Sequence, residues 1–459
     1  MKILKEQITS ILDYLQPLLP LANFHMVDYF TKNAFEQYVP DIIKEDVLKV
    51  GFKEVINCIF ENDYKKIENL KFYSQKSKEF TLKNLNICLK TDDFQEKLVS
   101  LGCAEPLRLK LNIFMTSKKS HEVDILSYVA AAIHNVSGTT HLVDIGDGKG
   151  YLSSILALHH KIPVLGVDAS EVNTSSAVSR VKKLSRVWKS VVSSSNNIQT
   201  EKNIPVSANL YKQVTQYVTS DTDFLDLISN VFLEKPVDLG LVGLHTCGNL
   251  APTSLQIFSS NQNIKTICNI GCCYHLLSEE FETQQYFRNT NSDYGFPMSN
   301  LLKDQKITIG RAGRMIAAQS MERILDKREL PNESIFYRAL FEIILEKYYD
   351  LPSDKRQVGK MRKKCVNFID YTKKALKRLN LPLNVTNSQL ENLFEEYKER
   401  QYEIYFFYLL RNMLAPTIES LILLDRLLYL QELGFENSYI VQVFDPIVSP
   451  RCYGLIAIK

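Results

Sequence analysis

The sequence predicts an α/β fold: a parallel sheet covered by helices, with a helical region before it and a helical insertion ahead of its last two strands. Three observations predict it. From about residue 122 to 272, short apolar runs alternate with helical segments, the pattern of a parallel sheet buried on both faces. Residues 1 to about 110 carry apolar residues at threes and fours, as in "ITSILDYLQPLL" and "EDVLKVGFKEVINCIF", which places them on one helical face. From about residue 314 helices return, and two strand-like runs close the chain.

Taken in order, the strands are "HLVDIG", "PVLGVD", "KQVTQYVT", "VDLGLVGL" and "IKTICNIG". Residues 190–207 are polar and Asn/Ser-rich and read as a loop inside this domain. The helices after it include "FYRALFEIILEKYYD" and "LENLFEEYKERQYEIYFFYLLRNM". "YIVQVFDP" and "CYGLIAIK", joined by the turn "PIVSPR", complete a sheet of about seven strands. The expected divisions are a helical region over 1–114, a core over 115–313, an insertion over 314–435 and the last strands over 436–459.

Bulk properties bound the function. The chain has 459 residues, enough for two or three domains. Hydrophobic residues make up 45% and charged residues 23%, an ordinary globular balance. A net charge of +3 is too small to announce nucleic acid by itself. Nine cysteines, an odd number, argue against a disulfide framework and fit a reducing compartment, cytoplasmic or nuclear. The start, "MKILKEQITSILDYL", has charges every few residues and does not read as a signal peptide. No apolar run reaches the ~18 residues of a membrane span. "SLILLDRLLYL" comes nearest, interrupted by Asp425 and Arg426.

"LVDIGDGKGYLSSILAL" is a strand, a loop with Gly146, Gly148 and Gly150, then a helix. Dinucleotide folds use G-x-G-x-x-G and seat a pyrophosphate on the helix N-terminus. Here the spacing is G-x-G-x-G, with Asp144 before the first glycine and Asp147 inside the loop. Two carboxylates receive a diphosphate poorly. They suit a ligand with positive charge, such as the ammonium and sulfonium of S-adenosylmethionine. Asp168 ends the next strand 22 residues after Gly146, where such folds place the acceptor for a ribose diol. Asp221 or Asp223, after the third strand, would accept from the adenine amino group or cap the following helix.

The runs "MTSKKSHEV" (115–123), "VDIGDGKGYLSS", "GVDASEVNTSSAVSRVKKL", "GLHTCGNL", "GCCYHLL", "GFPMS" (295–299), "FYRAL" (336–340), "LAPTIESLILLDRLLYLQE" and "VFDPIVSPR" follow one another along the chain. In that order the sequence resembles the methyltransferase-like protein 25 family. The resemblance implies a class I (Rossmann-like) methyltransferase fold using S-adenosylmethionine, and it implies no particular substrate. "H-x-C-G" with "C-C-x-H" is also locally similar to eukaryotic tRNA acceptor-stem 2′-O-methyltransferases. The zinc-finger cysteines that those enzymes carry near their start are missing here. So is the N/D-P-P-Y/F clamp of amino-methylating enzymes, "LHTC" standing in its place.

"KKSHEV" reads as the opening of a helix that leads into the first strand. Lys119 would pair with the carboxylate of the cofactor and Glu122 with its ammonium, and the resemblance adds His121. An ordinary charged helix start accounts for the same residues. The basic runs at 180–189, 355–364 and 373–379 would track phosphates or simply face solvent. Phe296 would stack on a flat substrate or pack in the core.

His245, Cys247, Cys272, Cys273 and His275 converge on the ends of the fourth and fifth strands. Neither run has the C-x₂₋₄-C spacing usual in zinc sites, and neighbouring side chains on a strand point in opposite directions. The expectation is therefore a rim around the transferring methyl, with no metal. His245 would contact or deprotonate the acceptor, Cys247 would touch the cofactor, and Gly248 would let the next helix begin close to the pocket. The whole reads as a methyltransferase acting on RNA or protein sooner than on a small molecule, without a membrane. Its rivals are a binding protein that keeps the pocket without chemistry, a 2′-O-methyltransferase of RNA, and an oxidoreductase requiring a nicotinamide cofactor.

Overall fold

The computed structural model describes the chain except residues 104–114, 196–207, 234, 283–293, 350, 353–354 and 362–363. Contacts divide it into two compact units. One comprises Met1–Leu15, Phe80–Ser320 and Pro416–Lys459, and the other Gln16–Glu79 and Met321–Ala415. These divisions run differently from the sequence boundaries at 114, 314 and 435. Residues 80–103 and 416–432 look helical in sequence, and helical periodicity does not say which core a helix serves.

The sheet lies in the first unit and has eight strands in the order β1-β7-β8-β6-β5-β2-β3-β4. They are β1 (Cys88–Lys90), β2 (His141–Ile145), β3 (Val164–Asp168), β4 (Tyr211–Thr215), β5 (Leu239–Cys247), β6 (Ile264–Cys272), β7 (Ser438–Gln442) and β8 (Tyr453–Ile458). All neighbours are parallel except β8, which runs antiparallel to both β6 and β7. The α/β class and the seven strands expected from sequence are present. β1 is additional: three residues are too short to show a period, and it forms by pairing Cys88, Leu89 and Lys90 with Ile440, Val441 and Gln442.

Burial explains the strand sequences. All five residues of β2 are buried, as are eight of the nine in β6. Helices cover the sheet. The Tyr151–Leu158 helix is apolar nearly all round and has seven buried residues, as a helix packed on several sides requires. The Ser117–Ser137 helix begins at Thr116, whose side chain accepts from the Lys119 N–H, and stops at Gly138 in the left-handed region. Its buried stripe runs through Val123, Leu126, Val129 and Ile133 into the core with Leu142, Leu156 and Ile456. The Glu171–Ser195 helix continues to Ser195, so the polar stretch read as a loop begins as helix, and its remainder lies outside the described residues.

The second unit is helical throughout its described residues. Helices such as Ser334–Tyr348 and Gln401–Asn412 bury aromatic residues. Phe24 and Tyr29 meet Phe407 edge-on at 5.5 and 5.3 Å. Buried Arg411 donates to the Ala22 carbonyl, tying the two sequence-distant parts together.

Candidate functional site

The loop after β2 turns through three glycines with positive φ: Gly146 (+76°), Gly148 (+61°) and Gly150 (+67°). Their freedom is used for different ends. A Cβ at Gly150 would run into the Tyr211 hydroxyl and come within 3.0 Å of Ala177 Cβ, whereas one at Gly148 would meet only the Gly146 carbonyl, at 3.9 Å. Gly150 is thus a packing glycine and Gly148 a conformational one.

The two acids of the loop are buried. Ser153 Oγ lies 2.8 Å from Asp144 Oδ2 and 2.7 Å from Asp147 Oδ1, and the Tyr211 hydroxyl donates to Asp147. Burial and then the charge of Asp147 push the Asp144 carboxyl well above the usual range, and burial raises Asp147 despite its bonds from Tyr211 and Ser153. Two carboxyls this close share a proton more readily than they both ionise. Asp144 Oδ1 has no hydrogen-bond partner.

A cavity of about 490 Å³ opens at the carboxyl ends of β2 to β6. It is lined by Gly146, Asp168, Tyr217, His245, Cys247 and Gly248, among others, and lies where the strand order reverses around β2. Open α/β sheets bind ligands at such a switch point. Asp168 accepts from the Gly148 N–H (3.0 Å), the Ser170 N–H (2.8 Å) and Asn173 Nδ2 (3.1 Å). These bonds fix its carboxylate at the edge of the cavity and lock the glycine loop to the end of β3.

Across the cavity, His245 is one-third exposed near the end of β5. Its Nε2 is 2.8 Å from Lys119 Nζ and 3.4 Å from Glu122 Oε2. Lys119 also pairs with Glu122 at 3.1 Å, and Ser449 Oγ donates to Glu122 at 2.8 Å. Burial acts to raise the Glu122 carboxyl, but the bond with His245 and the charges of His245 and Lys119 outweigh it and hold the group well below the usual carboxylate range. Glu122 is therefore a fixed anion beside Lys119 and the His245 ring. No hydrogen bond engages His245 Nδ1 among the described residues.

Next to His245, three thiols converge. Cys247 and Cys272 are paired in register on β5 and β6, with their sulfurs 3.1 Å apart. Cys273 leaves the strand in the left-handed conformation (φ +50°, ψ +48°), and the three sulfurs lie within 4.8 Å of one another. The alternation rule that set Cys273 apart in the sequence does not reach it, because the strand ends at Cys272. Hydrogen bonds with Cys247 and then Cys272 lower the Cys273 thiol, and the same sharing raises Cys272. Gly248 (φ +55°) brings the chain against Leu276, where a Cβ would approach to 2.7 Å.

The remaining candidates lie elsewhere. His121 Nε2 accepts from the Asp445 N–H at 3.2 Å and packs on Phe444, so it serves the turn between β7 and β8. Asp221 is exposed and is not among the cavity-lining residues. Asp223 caps the Phe224–Phe232 helix by accepting from Leu225 and Asp226. Asp144, Asp147, Gly148, Gly150, Lys119 and Glu122 are also absent from that lining. Phe296 is fully buried, which leaves no ring face for a substrate. Of the basic runs, Arg180 sits 3.9 Å over the Tyr151 ring. Residues 362–363 of the second run lie outside the described part.

Three contributors carry no signal in the sequence. Ser449 and Tyr211 act on residues 327 and 64 positions away. Tyr217 lines the cavity while 75% exposed, an aromatic face open to solvent that propensity does not mark.

Comparison with known proteins adds to this geometry. Residues 118–280 match a family model described as "Methyltransferase domain". A human protein called "Probable methyltransferase-like protein 25" is 31% identical, the alignment covering 99% of this chain and 97% of the human one. The mouse protein of the same name is 30% identical over 99% of this chain and 96% of its own.

Proposed function

The chain belongs to the methyltransferase-like protein 25 family and carries a methyltransferase domain, and on that premise we propose that S-adenosylmethionine is its methyl donor, held in the strand-end cavity. The observation that carries this reading is Asp168: a carboxylate fixed by three donors at the end of β3, beside Gly146, on the wall of a cavity at the switch point. The fit to the donor is chemical. Asp168 offers acceptors to a ribose diol, and Val167, Val218 and Leu250 offer apolar wall with the Tyr217 ring beside them. Lys119 stands by His245 as a cation for the carboxylate of the methionine end, and buried Glu122 holds the two in place. Asp144, buried and sharing a proton with Asp147, supports this end from behind the loop.

When bound, the donor supplies an electrophilic methyl on sulfur. The residues of the chain supply the rest. The β5 end presents His245 at the cavity, and the tautomer with Nε2–H directed at the Glu122 carboxylate leaves Nδ1 as the basic nitrogen. Nδ1 takes the proton of the acceptor as the methyl transfers, a contribution of roughly 10²–10⁴-fold. Alignment of acceptor and methyl accounts for much of the remaining acceleration. The acceptor belongs to a macromolecule, RNA or protein, encountered in the cytoplasm or nucleus. No described helix is long and apolar enough to cross a membrane.

The test is methyl transfer from tritium-labelled S-adenosylmethionine into lysate of cells lacking the protein, followed by nuclease or protease digestion. The purified protein is expected to label a macromolecular fraction that one digestion releases. Label that survives both digestions as a small molecule would overturn the acceptor class. No label above an Asp168→Ala control would leave a binding protein without chemistry.

A further inference from the structure

We propose that Cys247, Cys272 and Cys273 form a zinc site at the edge of the methyl-transfer cavity. The three sulfurs lie within 4.8 Å of one another, and three observations make that convergence more than crowding.

The first is how Cys273 gets there. Continuation of β6 would send its side chain to the face opposite Cys272. Instead the residue adopts φ +50°, ψ +48°, a left-handed conformation that is strained for a non-glycine residue. The turn brings its sulfur back to the other two. A disulfide between Cys247 and Cys272 would need only the register pairing of β5 and β6 and would leave this turn without a use.

The second is the charge around the cluster. Arg426 is 2% exposed, and its Nε and Nη2 have no hydrogen-bond partner. Its Nη1 lies against Gly271, where a Cβ would come within 2.6 Å of it, immediately before Cys272. The adjacent Asp425 carboxylate is occupied by the Met298 and Ser299 N–H groups and the Ser299 hydroxyl. A buried guanidinium with two unbonded nitrogens, resting over the Tyr274 ring at 5.8 Å, gains from further negative charge nearby. Three thiolates on a divalent cation carry one net negative charge, and the Arg426 guanidinium is buried one residue away along β6.

The third is the donor set. It is all sulfur and draws on no carboxylate, which selects a borderline or soft ion over magnesium or calcium. Zinc takes four ligands in a tetrahedron, and sites with three protein ligands leave the fourth position to water or substrate. Cys247 lines the cavity together with His245, so the open position lies at the cavity edge. His275, whose Nδ1 is buried without a partner, stands two residues beyond Cys273. The inference stands on the cluster alone and does not depend on the identity of the methyl donor.

Elemental analysis of the full-length protein, purified under reducing conditions without chelator, tests it. About one zinc per chain is expected. It should fall at least tenfold in Cys247→Ser, Cys272→Ser and Cys273→Ser and stay in place in Cys268→Ser, a buried cysteine outside the cluster. Circular dichroism of each variant separates loss of metal from loss of fold. The wild-type protein supplies an independent reading: replacing the metal by cobalt should give the intense visible bands of a tetrahedral thiolate site. Chelation should expose three more titratable thiols. Wild-type protein without stoichiometric metal would overturn the proposal, as would copper in place of zinc. So would a mass two hydrogens short from a Cys247–Cys272 disulfide.

Discussion

The two sides of the strand-end cavity are built from similar residues and put to different uses. The loop after β2 has two acids and three glycines, yet its acids face inward: Ser153 and Tyr211 bond to them, leaving Asp144 Oδ1 unpartnered, and neither acid lines the cavity. The ends of β5 and β6 have one histidine and three cysteines, and there the groups converge instead of being absorbed. His245 Nδ1 has no hydrogen bond among the described residues, and three sulfurs meet within 4.8 Å of one another. The difference teaches how to separate scaffold from chemistry. Polar groups that satisfy one another hold the loop in shape, while polar groups brought together and left reactive are what a transfer reaction can use.

Variants on each side sharpen that contrast. The largest effect is expected from His245→Ala, which removes the proposed proton acceptor from the β5 side. Methyl transfer should fall roughly 10²–10⁴-fold with donor affinity kept, as single-turnover rates and a binding titration would show. Full activity would reduce His245 to a wall residue. On the other side, Gly150→Val should act on folding. It forces a Cβ against the Tyr211 hydroxyl and Ala177 in a left-handed conformation. Overpacking and backbone strain together cost about 2–5 kcal/mol, read from denaturant midpoints. Gly148→Ala, with open space around its Cβ, should cost only about 1–2 kcal/mol. Equal losses at the two glycines would erase the distinction between packing and conformation.

Asp168→Ala comes next. Losing a charged acceptor is worth roughly 1.5–3 kcal/mol, so S-adenosylmethionine affinity should weaken about 10- to 100-fold by calorimetry. Tyr211→Phe removes the hydroxyl that Asp147 accepts from. It should destabilise the fold by about 1–3 kcal/mol and leave donor affinity within about twofold; a larger loss of affinity would mean that the loop acids do face the ligand. Asp221→Ala should change neither quantity, since the residue is exposed and off the cavity lining.

How much of this was legible in the sequence follows from the range of each signal. The strands of the parallel sheet, the glycine loop and the strand-end runs "GLHTCG" and "GCCYH" are local patterns and could be read directly. β1 could not, since its three residues become a strand only by pairing with β7. The inward turn of Asp144 and Asp147 depends on Tyr211, 64 residues beyond Asp147, and the anchoring of Glu122 on Ser449, 327 residues away. Cys273 shows the opposite hazard. A sound rule about strand alternation fails because the strand stops one residue earlier, and sequence marks strand ends poorly. His121 and Phe296 had the right chemistry for a site, but the turn at Asp445 and the core claimed them.

The central claim is that the methyl donor lies between these two sides, its ribose against Asp168 and its sulfur toward His245. A structure of the protein with bound S-adenosylhomocysteine tests it most directly. The account predicts the nucleoside on the wall formed by Gly146, Asp168 and Tyr217, with the thioether sulfur on the β5 side of the cavity near His245 and Cys247. A ligand bound away from the strand ends, or with its ribose hydroxyls out of hydrogen-bond reach of Asp168, would contradict it.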